Sequence, residues 1–200
     1  MGNLQQDAEN HDKNASQYAG RWIAKLRNEI VGHGGTPEEA RHAANATRHK
    51  ETPEISFVPM TPPLVFSPVL NNILSAFQTD IPIYLVGVAV RDLLLSRSIH
   101  DYDFILPDNS LEISRQIANR IGAAYFPLDS KRGTARVIFT DEDGVRNILD
   151  FSTNRGPNID SDLKDRDFTV NAMALDIHKP HELLDPLGGA SVLNKRLLRA

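Results

Sequence analysis

Two aspartates two residues apart, Asp101 and Asp103, are the side chains of this sequence best suited to hold metal ions. They open a short apolar run, residues 101–106, which is typical of a β-strand. Because side chains alternate faces along a strand, both carboxylates point the same way, with α-carbons roughly 6.5 Å apart. Two such carboxylates can share divalent cations, and a pair of cations about 4 Å apart can clamp a displacement at phosphorus.

A second group of residues, just before the aspartates, could bind the phosphates of such a substrate. Residues 83–86 form an apolar run that predicts a buried strand, Gly87 ends it, and residues 88–96 have helical apolar spacing. A strand–glycine–helix junction directs free N–H groups at an anion, and Arg91 extends from the first turn. The alternative is an ordinary surface, with Arg91 and Asp92 as an ion pair. The aspartate pair and the strand–glycine–helix junction, found together at this spacing, favour the phosphate site.

The same residues resemble a known family. LVGVAVRDLLL followed by HDYDF resembles the head domain of class II nucleotidyltransferases, the tRNA CCA-adding enzymes and bacterial poly(A) polymerases, whose pattern is LVGG-x-VRD-x-LL and then D-x-D. DLKDRDFTVNAMA, residues 162–174, is similar to a second block of that family. DPLGG, residues 185–189, with LLRA at 197–200, is similar to a third. Three ordered blocks over residues 82–200 make a specific signal.

The resemblance implies a polymerase-beta-like α/β fold, a mixed sheet with flanking helices, and gives roles to particular residues. Asp101 and Asp103 would hold Mg²⁺. Asp150, at the predicted end of a later strand, would be the third catalytic carboxylate, the alternative being a plain charge at a strand end. Asp167 would start a helix, and Asn171 could instead have a capping or core-polar role. The residues expected to contact the nucleotide are Gly87, Val88, Arg91, Asp92, Arg166, Asp167 and Asn171.

The activity that the resemblance implies is template-independent transfer of CMP or AMP from CTP or ATP to the 3′ end of an RNA, with tRNA as the expected acceptor. Poly(A) addition and a catalytically weak nucleotide-binding regulatory module are the alternatives. Two positions depart from the family pattern, since Val88 replaces a second glycine and Asp165 replaces an arginine. The family selects bases and binds RNA in domains that follow the head, so a longer enzyme is implied.

Composition excludes several other kinds of site. The 200 residues contain no cysteine, which excludes disulfides and thiolate metal sites. A formal net charge of −4 does not favour nucleic-acid binding over the whole surface. No stretch approaches the length that spans a bilayer. We therefore expect a cytoplasmic protein with no membrane partner.

The chain before the three blocks predicts a separate extension. Residues 1–14 are polar and expected to be disordered, and residues 15–52 predict a helical hairpin whose second helix starts at Thr36. Residues 53–68 hold five of the twelve prolines and predict a linker to a head domain over residues 69–200. We accordingly expect the hairpin to be dispensable for the fold of the head. Within the head, the pattern predicts a helix over residues 109–121 and a β-hairpin formed by residues 134–140 and 145–151.

Overall fold

A computed structural model describes residues 18–27, 29–46, 51–60, 64–78 and 80–194, which fold around two β-sheets. The smaller sheet lies before residue 58 and the larger one after residue 80. Among the described residues, no helix combines the length and the apolar character needed to cross a membrane. The predicted disordered tail, residues 1–14, lies outside the described residues.

The smaller sheet and one helix form a unit that we call the N-terminal module. Its strands are β1 (Trp22–Leu26), β2 (Glu29–Gly34) and β3 (Glu54–Phe57), and its helix is α1 (Pro37–Asn45). The strands lie in the order β2-β1-β3 and are all antiparallel. Helix α1 packs against the sheet through Ala40 and Ala44, which contact Trp22 and Ala24.

The prediction of a helical hairpin over residues 15–52 is therefore wrong in its first half. Trp22, Ile23 and Leu26 have helical spacing, but this stretch is the central strand of the module. Tertiary packing explains the difference, because Gly32 and Gly34 of β2 lie where any side chain would overlap α1. The prediction placed these two glycines between its helices, and in the strand β2 they allow α1 to approach closely.

The second helix of the predicted hairpin is present, and it starts at Thr36 as predicted. Thr36 caps α1, its hydroxyl accepting from the Glu39 N–H at 3.2 Å, and Pro37 is the first helical residue. The Glu39 carboxylate in turn accepts from the N–H of Gly35, the residue before the cap, at 2.9 Å, so the first turn is bound from both directions. The predicted linker is wrong in part, since residues 54–57 form β3 and pair with β1.

The head is built on a seven-stranded sheet. Its strands are β4 (Tyr84–Val86), β5 (Asp101–Leu106), β6 (Ala124–Asp129), β7 (Thr134–Thr140), β8 (Arg146–Thr153), β9 (Ala174–Asp176) and β10 (Leu183–Leu184). They lie in the order β10-β9-β4-β5-β8-β7-β6. Only β5 and β8 run parallel, and the other neighbours are antiparallel. The sheet is thus mixed, as predicted.

Short helices connect these strands and cover the sheet. They are α2 (Pro68–Ala76), α3 (Val88–Leu94), α4 (Ser110–Ile121), α5 (Ile159–Lys164) and α6 (Gly189–Asn194), with one 3₁₀ turn (Thr169–Asn171). The predicted helix over residues 109–121 and the predicted hairpin are confirmed. The strand that carries Asp150 continues to Thr153, so the prediction that Asp150 ends it is wrong. Asp167 begins no helix either, since the next turn starts at Thr169.

The two faces of the sheet have different partners. One face carries the main core, in which the rings of Phe104 and Phe151 stack at 5.3 Å and both contact Phe77. The opposite face is half covered, by a smaller core in which Leu163 of α5 packs on Ile105. Alternation along β5 therefore buries Tyr102 and Phe104 and leaves Asp101 and Asp103 exposed on the uncovered half.

Candidate functional site

Three charged side chains lie side by side across the centre of the sheet. In the parallel pair, Asp103 of β5 lies opposite Asp150 of β8. In the antiparallel pair, Asp150 lies opposite Arg136 of β7. Asp101 is two residues from Asp103 on the same exposed face. The structure therefore brings together the three carboxylates that were predicted to be catalytic, and it adds an arginine that was not.

The pKa of Asp103 is raised above its ordinary value. Partial withdrawal of the carboxyl from bulk solvent is the largest cause, although the residue as a whole is exposed, and the neighbouring Asp150 carboxylate adds to the shift. The Arg166 guanidinium acts in the opposite direction, and Asp101 raises the pKa further. Crowded carboxylates of this kind repel each other and gain by sharing a divalent cation. Asp101 and Asp103 are thus a donor set that fits Mg²⁺.

Asp150 forms a bidentate ion pair with Arg136. The Arg136 Nε donates to Asp150 Oδ1 at 2.7 Å and the Nη2 donates to Oδ2 at 2.7 Å. Both carboxylate oxygens are thereby bound, and no trio of His, Asp or Glu side chains in the described ranges is disposed to hold a metal ion. The role of Asp150 as a third catalytic carboxylate stays a prediction.

Gly87 is the point where the first two sequence blocks meet. Its φ of 73° and ψ of −135° are in a region that side-chain-bearing residues rarely adopt. A Cβ at this position would lie 3.1 Å from the Arg166 Nη1 and 3.6 Å from the Asp103 Oδ2. Glycine is required for the turn into α3, and a side chain at this position would also crowd the Arg166 guanidinium. The Gly87 N–H itself donates to the Met173 carbonyl at 3.2 Å, so the unpaired N–H groups of α3 begin with Val88.

The first helical residue, Val88, has a negative φ and is 43% exposed. Valine is therefore tolerated by the backbone, and its effect on a ligand is steric. We predict that Val88→Gly tightens the binding of Mg²⁺–ATP and Mg²⁺–CTP, because it removes two methyl groups beside the N–H groups of α3. Glycine should at the same time cost the helix up to about 1 kcal/mol. Titration of both nucleotides into both proteins tests this, and weaker binding by the glycine variant would show that valine makes a favourable contact.

Arg91, Asp92 and Asn171 form a connected network. The Arg91 Nε donates to Asp92 Oδ1 at 2.9 Å, and its Nη1 donates to Asn171 Oδ1 at 3.4 Å. The ion pair considered as the alternative is thus present, whereas half-buried Asn171 accepts from Arg91 and caps no helix in the described part of the chain. The network links α3 to the 3₁₀ turn, so the first and second blocks are joined a second time. Contacts of these three residues with a nucleotide stay predictions.

A cavity of about 280 Å³ opens beside the row of charges. Ile105 and Ser152, register partners on β5 and β8, share its floor, and the second block forms much of its wall. Asp167 lies exposed on this wall, and the Phe168 side chain is 39% exposed there. Asp165, the departure from the family pattern, also lines the cavity. The wall residues are Arg155, Asp162, Asp165, Arg166, Asp167, Phe168 and Asn171.

Asp162 is a residue of this site that sequence reasoning missed. It is 6% exposed, its Oδ1 pairs with the Arg166 Nη2 at 3.4 Å, and its Oδ2 accepts from the Arg155 N–H at 3.3 Å. It therefore fixes two parts of the cavity wall. The signal was present in the sequence, because a carboxylate four residues before an arginine is a common helical ion pair.

The third block supports the second one. Asp185 is buried, and its two oxygens accept from the Gly189 N–H at 2.6 Å and the Ala190 N–H at 3.0 Å, which caps α6. Burial raises the pKa of Asp185, and the two N–H groups act against that shift. Gly189 packs so closely on the Thr169 carbonyl that any side chain would overlap it. The third block thus positions the 3₁₀ turn that carries Asn171.

Comparisons with known proteins agree with this geometry. Residues 83–199 match the family described as the Poly A polymerase head domain. Residues 13–61, which include the N-terminal module, match a family of unknown function, DUF5678.

Two curated relatives are tRNA nucleotidyltransferases. The chain is 43% identical over 117 residues to the CC-adding tRNA nucleotidyltransferase of Geobacter sulfurreducens, a match that covers 58% of this chain and 26% of the relative. It is 44% identical over 115 residues to the A-adding tRNA nucleotidyltransferase of Deinococcus radiodurans, a match that covers 58% of this chain and 24% of the relative. The chain thus matches about a quarter of each relative's length.

Solved structures show the same fold. A CCA-adding enzyme in complex with CTP superposes with a TM-score of 0.60 at 29% identity, over 68% of this chain and 34% of that one. A tRNA nucleotidyltransferase with a primer tRNA and an incoming ATP analog superposes with a TM-score of 0.53 at 32% identity, over 60% of this chain and 35% of that one. The polymerase-beta-like mixed sheet predicted from the sequence is confirmed.

Proposed function

The chain belongs to the family of Poly A polymerase head domains, and we propose on that basis that it is the nucleotidyltransferase head of a tRNA 3′-end-adding enzyme. The proposed reaction transfers CMP or AMP from CTP or ATP to the 3′ end of tRNA without a template. One observation carries the proposal. Gly87, Asp103 and Arg166, from separate parts of the sequence, converge within a few ångströms beside an open cavity.

In this proposal, each part of the site has its own task. Asp101 and Asp103 would hold Mg²⁺, which when bound lowers the pKa of the attacking 3′-hydroxyl and neutralises the leaving pyrophosphate. Arg166 and the N–H groups at the start of α3 bind the triphosphate and orient its α-phosphorus toward the carboxylates. Asp162 holds Arg166 in that position. The catalytic contribution of these residues is positioning and charge stabilisation, which suits phosphoryl chemistry.

Two observations favour a second candidate, a nucleotide-binding regulatory module with weak catalysis. Asp150 is bound at both oxygens by Arg136, and Val88 crowds the start of α3. A site of this kind would bind nucleotide and transfer little. Binding and transfer therefore have to be measured separately.

The test uses ATP and CTP together, because the relatives include both A-adding and CC-adding enzymes. Binding to residues 1–200 is measured by calorimetry with and without Mg²⁺, and we expect Mg²⁺-dependent affinity between about 1 μM and 1 mM. Transfer is measured with the longest natural protein that contains this chain, on tRNA lacking its terminal CCA and on a poly(A) primer. Extension of tRNA supports the proposal, and extension of the primer alone supports poly(A) addition. Binding without transfer supports the regulatory module, and no binding contradicts both. The cytoplasmic location stays a prediction.

A further inference from the structure

The N-terminal module packs against the edge strand β10 and against α5, on the sheet face that carries the candidate site. Leu184 of β10 packs against the core of the module, whose central residue is Trp22. The same side chain packs against the smaller core of the head, in which Leu163 of α5 lies on Ile105. Ile105 also forms the floor of the cavity. One continuous set of apolar contacts therefore runs from the module to the floor of the site.

Polar contacts between buried groups fix the module in place. The Trp22 Nε1 donates to the Leu183 carbonyl at 2.9 Å, and the Asp185 N–H donates to the Gly35 carbonyl at 2.8 Å. Gly35 lies so close to the Asp185 backbone that no side chain fits between them. Asp185 is the residue that caps α6. The module is thus bound to the third block at backbone distance, which contradicts the expectation that a linker keeps the two units apart.

The module also reaches the helix that carries Asp162. Lys164, at the end of α5, pairs with Asp160 of its own helix at 2.8 Å and with Glu39 of the module at 3.2 Å. Asp162 lies on the same helix and holds both Arg166 and the Arg155 backbone. Helix α5 has only six residues, so its position depends on the surfaces that it packs against. The module provides one of these surfaces.

We propose that the N-terminal module is a brace for the nucleotide site: it fixes α5 through the pair of Glu39 with Lys164 and the packing of Leu184 on the core that contains Leu163, so that Asp162 keeps Arg166 near Asp103. This assigns a positioning role to a module whose matched family has no known function. The part of the proposal that concerns nucleotides rests on the proposed function. The part that concerns α5 does not, and the two are measured separately.

The experiment compares variants of the full 200-residue chain by hydrogen–deuterium exchange without nucleotide, then by titration with Mg²⁺–ATP and Mg²⁺–CTP. Glu39→Gln removes the charge that pairs with Lys164 and keeps an oxygen that can accept from the Gly35 N–H. Trp22→Phe keeps an aromatic ring, smaller than the indole, and leaves the Leu183 carbonyl without its donor. The matched control is Arg27→Gln, which removes the 2.7 Å ion pair of the same module with Glu51, both partners being exposed.

We expect both test variants to speed amide exchange over residues 159–166, by about threefold for Glu39→Gln and about tenfold for Trp22→Phe. Nucleotide affinity should fall by similar factors, and the control should change neither quantity. If Trp22→Phe fails to fold, the amide exchange and nucleotide affinity of Glu39→Gln alone test the brace. Unchanged exchange in residues 159–166 would overturn the brace. Faster exchange with unchanged affinity would overturn its positioning role. Absence of nucleotide binding by the unaltered chain would overturn the proposed function and leave the exchange result valid.

Discussion

Asp103→Asn is expected to reduce nucleotide transfer at least about 100-fold, because loss of residues that only support a metal ligand already costs about 10- to 100-fold. The same loss is expected for Asp101→Asn, since both side chains would hold Mg²⁺ on one face of β5. The asparagine keeps the size of the side chain and removes the charge that binds the cation. Mg²⁺-dependent nucleotide binding should weaken in parallel.

The stability of the Asp103 variant should change in the opposite direction. The folded-state pKa of Asp103 is raised by partial burial and by Asp150, so at pH 7 the ionised form opposes folding. Asp103→Asn should therefore unfold at an equal or higher temperature than the parent at pH 7. As the pH falls through the folded-state pKa of Asp103, the parent regains this stability and the difference should disappear.

Melting curves and transfer rates at pH 7 check this pair of expectations. The control is Glu142→Gln, which removes an exposed carboxylate in the turn between β7 and β8. It should leave both transfer and the melting temperature unchanged. Near-normal transfer by the Asp101 and Asp103 variants would remove the basis for the metal assignment. Lost transfer together with a large drop in melting temperature would instead make the aspartates structural.

The second large effect is expected at Arg166, where Arg166→Ala should weaken nucleotide binding by about 10- to 100-fold. A hydrogen bond between charged partners contributes about 1.5–3 kcal/mol, and Arg166 is the cation nearest to Gly87 and Asp103 in the cavity wall. Arg166→Lys should recover only part of the affinity, because lysine keeps the charge and lacks the planar fork.

Arg166 is also the partner of Asp162, whose side chain is 5% exposed, so the single variant leaves a buried carboxylate with the Arg155 N–H and without its cation. Removing one partner of a buried pair costs about 3–5 kcal/mol of stability. The double variant Asp162→Ala/Arg166→Ala should regain much of this stability while nucleotide binding stays weak. Calorimetry and thermal melting measure the two quantities, and Lys179→Ala, at an exposed pair with Glu182, is the control. Recovery of binding in the double variant would show that Arg166 acts only on stability.

Local sequence was enough to predict the central part of the site. Alternation along β5 predicted that Asp101 and Asp103 share a face, and the strand–glycine–helix pattern predicted the turn at Gly87. The cap at Thr36 was predictable for the same reason, since its hydroxyl accepts from the N–H of Glu39, only three residues further along the chain. In each case the interacting groups lie within a few residues of one another, so residue type and spacing carry the information.

Local sequence was misleading for the N-terminal module. Trp22, Ile23 and Leu26 satisfy helical periodicity, and a short apolar run fits a strand equally well. Residues 22–26 form a strand because they pair with β3, some thirty residues away. Helix α1 covers the resulting sheet and needs Gly32 and Gly34 to approach β2. Strand pairing depends on such distant partners, and no window of neighbouring residues contains them.

The sequence by itself thus determined the chemistry that the protein can offer: a pair of carboxylates on one face, a glycine turn, and arginines for phosphate. Only the tertiary structure decided how these groups are arranged. Strand register placed Asp103 beside Asp150, and folding paired Asp150 with Arg136 and Asp162 with Arg166. The tertiary structure also brought the N-terminal module against α5. The physical reason is that electrostatic pairing and close packing depend on distances in space, which the chain sets through strand register and burial rather than through spacing along the sequence.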